Sequence, residues 1–80
     1  MRIKEAVVTR FQELCAAQHI KYNELATRSG VTPSTVYSMM DSGRKDISVV
    51  TVKKLCDGLG LSIPAFYNNA IFENLEQEIE

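Results

Sequence analysis

The sequence has few of the residues on which catalysis and metal binding depend. Its 80 residues include one histidine, His19, and two cysteines, Cys15 and Cys56. Two thiols cannot complete a zinc site, and His19 is not at a ligand spacing from either of them. An enzyme would need a nucleophile with a base, or a pair of carboxylates, and one histidine among scattered acids supplies neither. We therefore expect no catalytic residues, no metal site, no cofactor and no enzymatic activity.

Long apolar segments are also missing. No apolar run approaches the roughly 20 residues that a membrane span requires. The opening stretch MRIKEAVVTRFQEL contains Glu5 and Glu13 and lacks the uninterrupted apolar block of a signal peptide. These features predict a cytoplasmic protein with no membrane partner, in which both cysteines are free thiols on apolar helix faces.

The charge is small in total and unevenly distributed. The net charge is −1, yet the last eight positions hold no lysine or arginine and contain Glu73, Glu76, Glu78 and Glu80. Residues 1–72 carry nine basic and six acidic side chains, which gives a net charge of +3. A mildly basic body with an acidic tail allows a DNA partner without requiring one.

The apolar pattern predicts helices and no strand. Apolar residues make up 45% of the chain, enough for one small core. A first helix is predicted over Ile3–Gln18, because its apolar positions recur at steps of three and four. The residues of this stripe are Ile3, Val7, Phe11, Leu14 and Cys15.

The stretch LATRSGVTPSTVYSMM, residues 25–40, predicts two short helices that meet at a sharp turn. Gly30 can adopt the left-handed conformation that ends the first of them, Tyr22–Ser29. Thr32 can cap the second, about Pro33–Asp41, because proline suits a first helical position. The small Ala26 lets the two helices cross closely. This is the helix-turn-helix arrangement, whose second helix enters the major groove of DNA.

Two more helices and a tail are predicted to follow. Ser48 can cap a fourth helix that Gly60 ends, and Ser62 can cap a short fifth helix with Pro64 in its first turn. Residues 70–80 form an acidic amphipathic extension, which could add a short sixth helix. Its apolar stripe consists of Ile71, Phe72, Leu75 and Ile79.

The segment from residue 20 to residue 66 resembles the Cro/CI-type helix-turn-helix regulators, also called the XRE or lambda-repressor-like family. The residues that carry the resemblance are the register ELA..SGV..STV and the stretch TVKKLCDGLGLS, which is similar to small bacterial members. The resemblance implies an all-α, five-helix DNA-binding domain over residues 1–69, from a bacterium or a phage. It also implies a homodimer bound to a pseudo-palindromic operator in double-stranded DNA.

The resemblance further implies which side chains touch DNA. Base contacts would come from the start and the exposed face of helix 3, where hydroxyls can reach base edges. Phosphate contacts would come from the two ends of helix 2 and from the loop after helix 3. The expected base contacts are Pro33, Ser34, Thr35, Tyr37 and Ser38. The expected phosphate contacts are Lys21, Tyr22, Arg28, Arg44 and Lys45.

The chain departs from the family pattern at two places. Lys21 stands where a serine or threonine usually caps helix 2, and the recognition helix has no Arg, Gln, Asn or Lys for bidentate base contacts. Two function classes therefore remain open. One is a sequence-specific transcriptional regulator, expected to be a repressor. The other is an antitoxin or adaptor on the same fold, with a protein partner at the acidic tail.

The tail stripe has two alternative roles. It can pair with the same stripe on a second chain and form the homodimer interface through Ile71, Phe72, Leu75 and Ile79. It can instead pack back onto its own domain beside helices 1 and 5.

Overall fold

The computed structural model describes residues 1–44 and 46–79, and in this part of the chain it has five α-helices and no strand. None of these helices has the length and apolar character needed to cross a bilayer. The all-α prediction is confirmed, and α1 and α2 have the predicted bounds. The elements are α1 (Ile3–Gln18), α2 (Tyr22–Ser29), α3 (Pro33–Met40), α4 (Val49–Leu59), α5 (Ile63–Tyr67) and one turn of 3-10 helix (Ala70–Phe72).

The ends of α2 and α4 lie at the predicted glycines. Gly30 and Gly60 have φ angles of 70° and 72°, the left-handed region that suits a residue without a Cβ. After α2, the N–H of Val31 donates to the carbonyl of Ala26 at 3.1 Å, which closes the last turn. The end of α1 adopts the same conformation on His19, with φ at 56°. A left-handed histidine is uncommon, and the sequence did not indicate it.

Serine and threonine caps fix the starts of the last three α-helices. The hydroxyls of Thr32, Ser48 and Ser62 each accept a hydrogen bond from the N–H three residues further on. Each bond satisfies one of the donors that a helix start leaves without an intrahelical partner. The N-cap of α2 is Lys21, which makes no such side-chain bond. The start of α2 therefore depends on packing more than the other starts do.

One apolar core joins α1 to α5. The rings of Phe11 in α1 and Phe66 in α5 meet at its centre, with their centroids 4.5 Å apart. Arg10 fixes the end of α5 by donating to the backbone carbonyls of Phe66 at 2.8 Å and Ala65 at 3.1 Å. The largest side chains with essentially no exposure are Phe11, Phe66, Leu25, Leu55, Val36 and Cys56. Burying each such large apolar side chain stabilises the fold by about 1.5–3 kcal/mol.

α4 packs directly against α2 and so stabilises the position of the helix-turn-helix. The two helices approach closely where Gly58 faces Ser29. A Cβ at position 58 would lie 2.1 Å from the Ser29 hydroxyl oxygen. That hydroxyl is buried and has no hydrogen-bond partner among the described residues. The crossing is therefore tight enough to exclude one methyl group.

The tail is not the amphipathic helix that its stripe allowed. Helical structure ends at Phe72, and residues 73–79 are irregular, with Asn74 at a φ of 58°. Acidic side chains spaced three or four residues apart repel one another on a helix, and the negative end of the helix dipole disfavours them further. The tail bends back toward α1, where the N–H of Glu76 donates to the carbonyl of Met1 at 3.1 Å.

The single chain uses part of the tail stripe for its own packing. The Phe72 ring lies 5.8 Å from the Phe66 ring and 4.8 Å from the Tyr67 ring, centroid to centroid. Glu78 forms an ion pair with Arg2 at 3.5 Å, next to the first turn of α1. This arrangement matches the second alternative, in which the tail packs beside helices 1 and 5. Whether the stripe also contacts a second chain stays a prediction.

Candidate nucleic-acid interface

The N-terminal turn of α3 presents a cluster of hydroxyl groups. The Thr32 hydroxyl shares hydrogen bonds of 3.0 Å with the hydroxyls of Ser34 and Thr35. Val36 and Met39 are buried on the opposite side of the same helix. Because these two residues anchor α3 to the core, its polar face points outward, where hydroxyls can donate to or accept from base edges.

A groove between α3 and the start of α4, here called the hydroxyl groove, collects several of the predicted DNA contacts. It has a volume of about 320 Å³. It brings three predicted base contacts, Ser34, Thr35 and Ser38, to the same place as the predicted phosphate contact Arg44. The complete lining is Ser34, Thr35, Ser38, Met39, Arg44, Asp46, Ile47, Ser48 and Thr51.

Sequence reasoning missed the contribution of α4 to this groove. Ser48 and Thr51 add two hydroxyls from the first turn of α4, where Ser48 was identified only as a helix cap. Asp46 adds a carboxylate to the groove that Arg44 also lines. A carboxylate at this position is unfavourable next to phosphate and can compete for the arginine, so it limits how strongly the groove attracts DNA.

A second groove, here called the tyrosine groove, connects the start of α2 with α3. It measures about 440 Å³ and contains the predicted contacts Lys21, Tyr22 and Tyr37 beside residues of α1. The two tyrosine rings meet edge to face, with centroids 5.3 Å apart and planes at 77°. A predicted phosphate contact therefore touches a predicted base contact.

Arg28 lies in neither groove. Its guanidinium is paired with the Glu24 carboxylate at 2.5 Å and donates to the Gln18 side-chain oxygen at 3.1 Å. Gln18 in turn donates to the carbonyl of Leu59 at 3.2 Å, which connects α1 and α2 to the end of α4. A phosphate contact by Arg28 stays a prediction and would compete with this network. Lys45 lies outside the described residues.

The two thiols are buried in the core and are poor nucleophiles. Burial raises the pKa of Cys15, which Arg28 partly offsets, and burial together with Asp57 raises the pKa of Cys56. Both groups are free cysteines, as the sequence predicted. A protonated buried thiol is unreactive, so both cysteines contribute to the packing and to no chemistry.

Two helices joined at a left-handed glycine, with the hydroxyl-bearing start of the second one exposed, define a helix-turn-helix DNA-binding domain. The family described as the Cro/C1-type HTH DNA-binding domain matches residues 10–64, well over half of the chain. The protein belongs to this family, as the sequence resemblance indicated. It is a DNA-binding regulator, and its ligand is double-stranded DNA. Comparisons with curated proteins and with solved structures found no match.

Proposed function

We propose that the protein is a sequence-specific transcriptional repressor that inserts α3 into the major groove of its operator. The observation that carries this proposal is the hydroxyl groove, in which Ser34, Thr35 and Ser38 lie together with Arg44. Hydroxyls can reach the edges of several bases, while an arginine beside them neutralises a phosphate and fixes the register. Repression is the proposed outcome because a protein bound to an operator can block transcription by occupying the site.

Base discrimination by this surface is expected to be moderate. Hydroxyl contacts lack the bidentate geometry of Arg, Asn or Gln, and α3 has none of these residues. The carbon atoms of Thr35 and Tyr37 add apolar contact with thymine methyl groups. The remaining discrimination would come from the sequence-dependent shape of the operator.

Because the base contacts of one copy discriminate only moderately among sequences, we expect the protein to bind as a homodimer. Two copies would place two α3 helices about 34 Å apart, which is one turn of DNA, and would read two half-sites together. The proposed interface is the tail stripe. Within it, Ile79 is 85% exposed, Ile71 and Leu75 are half-buried, and Phe72 packs on its own core. Ile79 therefore offers the most apolar surface to a second chain.

Selection from a random pool of double-stranded DNA tests the proposed function. The purified protein is expected to enrich an inverted repeat with half-sites one helical turn apart. Enrichment of a single half-site would support DNA reading and contradict the dimer. Failure to enrich any sequence would contradict the proposal and favour the antitoxin or adaptor alternative.

Light scattering tests the dimer interface directly. Ile79→Ser is expected to shift the mass at a fixed concentration from dimer toward monomer, because it removes the exposed apolar contact. Gln77→Ser is the matched control, since Gln77 is also exposed in the tail but lies outside the stripe. Equal masses for the wild type and both variants would contradict a tail-mediated dimer.

A further inference from the structure

We propose that Tyr22 is a positioning residue for DNA readout, since its ring holds the Tyr37 ring in the orientation that α3 presents to base edges. The inference rests on the proposed function and extends it to a residue of α2. Ser34 is three residues before Tyr37 and four before Ser38, so the three side chains lie on the exposed face of α3. Tyr37 lines the tyrosine groove on this face, and the two serines line the hydroxyl groove. Tyr37 is 54% exposed, whereas the other outward residues of this face carry short hydroxyl side chains.

A tyrosine exposed to this degree would ordinarily exchange among its side-chain rotamers. Here one side of its ring is occupied, because the Tyr22 ring meets it edge to face at 5.3 Å. Aromatic pairs favour this geometry, in which the positive edge of one ring approaches the negative face of the other. The contact therefore favours one Tyr37 rotamer before any DNA is bound and reduces the entropy that base contact would otherwise cost.

The anchoring of Tyr22 makes it suitable for this role. It is the first residue of α2, it is half-buried, and it packs against the apolar core beside Ile20. Its ring also lines the tyrosine groove with Cys15 and Ala16 of α1. The orientation of Tyr37 is thus fixed by a ring that α1 and α2 together hold in place.

Two roles of Tyr22 can be separated by substitution. Its hydroxyl is the part that would contact a phosphate, and its ring is the part that positions Tyr37. Tyr22→Phe keeps the ring and removes the hydroxyl, while Tyr22→Ala removes both. The measured quantity is the ratio of affinities for the selected operator and for an operator with the base pair nearest Tyr37 changed.

Tyr22→Phe is expected to lower both affinities equally and to leave the ratio unchanged. Tyr22→Ala is expected to reduce the ratio by about 2- to 10-fold, the range of an aromatic pair contact. In a Tyr37→Ala background, Tyr22→Ala is expected to change the ratio no further, because the positioned ring is absent. Lys21→Ala is the matched control, since a neighbouring phosphate contact should weaken both operators alike.

If Tyr22→Ala leaves the affinity ratio of the two operators unchanged, the positioning role is wrong. It is also wrong if Tyr22→Ala reduces this ratio equally in the Tyr37→Ala background. Circular dichroism must show that each variant keeps its helical content, and Tyr22→Leu replaces Tyr22→Ala if the alanine variant unfolds. A wild-type protein that shows no operator preference would instead refute the proposed function, and the positioning role with it. The two failures are therefore distinguishable.

Discussion

Gly58→Ala is expected to destabilise the domain, although alanine is the better helix former. The added Cβ would lie 2.1 Å from the Ser29 hydroxyl oxygen and 3.1 Å from both the Cβ and the backbone nitrogen of Ser29. The hydroxyl can rotate away, but the Cβ and the nitrogen move only if α2 shifts. Overpacking of this kind destabilises a fold by about 1–3 kcal/mol. The higher helix propensity of alanine offsets about 1 kcal/mol of that loss. The net loss in the free energy of unfolding should therefore be about 0–2 kcal/mol.

Urea unfolding followed by circular dichroism measures this loss. Ser29→Ala alone is expected to be neutral or slightly stabilising, because it removes a buried hydroxyl that lacks a partner among the described residues. The double variant should recover part of the loss, with a coupling of roughly 0.5–1 kcal/mol. Gly43→Ala is the matched control, because the atoms nearest to its Cβ would be those of the Asp41 carboxylate, at 3.5 Å or more, which is ordinary contact. A Gly58→Ala variant more stable than the wild type would refute the close crossing of α2 and α4.

Three further predictions concern DNA binding and pH. Arg44→Ala should weaken all DNA sequences alike and reduce the salt slope by about one unit, so an unchanged slope in a salt titration would exclude a phosphate contact. Replacing Ser34 and Ser38 together by alanine should relax the preference at one or two base pairs, each by at most about 1–3 kcal/mol. Retention of all base preferences in a repeated DNA selection would show that this face does not read bases. The third prediction follows from burial, which raises the pKa of Cys15 and Cys56, so the folded state keeps protons that the unfolded chain loses above about pH 8.5. The contribution of the two thiols to stability should be fully present below that pH and be lost as the pH rises toward their folded pKa. Unfolding measured from pH 7 to 10 should show this decline, and alanine at both positions should make it shallower.

Local sequence signals were sufficient for most helix boundaries. Each of these boundaries involves residues within about five positions of one another, so the local sequence predicts it. They are the caps at Thr32, Ser48 and Ser62 and the left-handed turn at Gly30. The left-handed end of α1 on His19 was not predictable in this way. Histidine adopts this conformation only when the surrounding packing favours it, whereas glycine adopts it readily.

The tail shows where local periodicity stops being informative. Its apolar stripe was compatible with a helix, with a dimer interface and with packing on its own domain. The tertiary structure decided the conformation of the single chain, because Phe72 finds aromatic partners in Phe66 and Tyr67. A short acidic segment gains little from a helix of its own, so long-range contacts determine its path.

The sequence by itself determined the class of domain and, through family resemblance, the residue types expected to touch DNA. Only the tertiary structure showed that α4 supplies Ser48 to the hydroxyl groove, that Arg28 is held by Glu24 and Gln18, and that Tyr22 touches Tyr37. Each of these arrangements except the Arg28–Glu24 pair joins residues ten or more positions apart. Such contacts depend on the angle and distance at which helices cross, and side-chain packing over the whole core sets both.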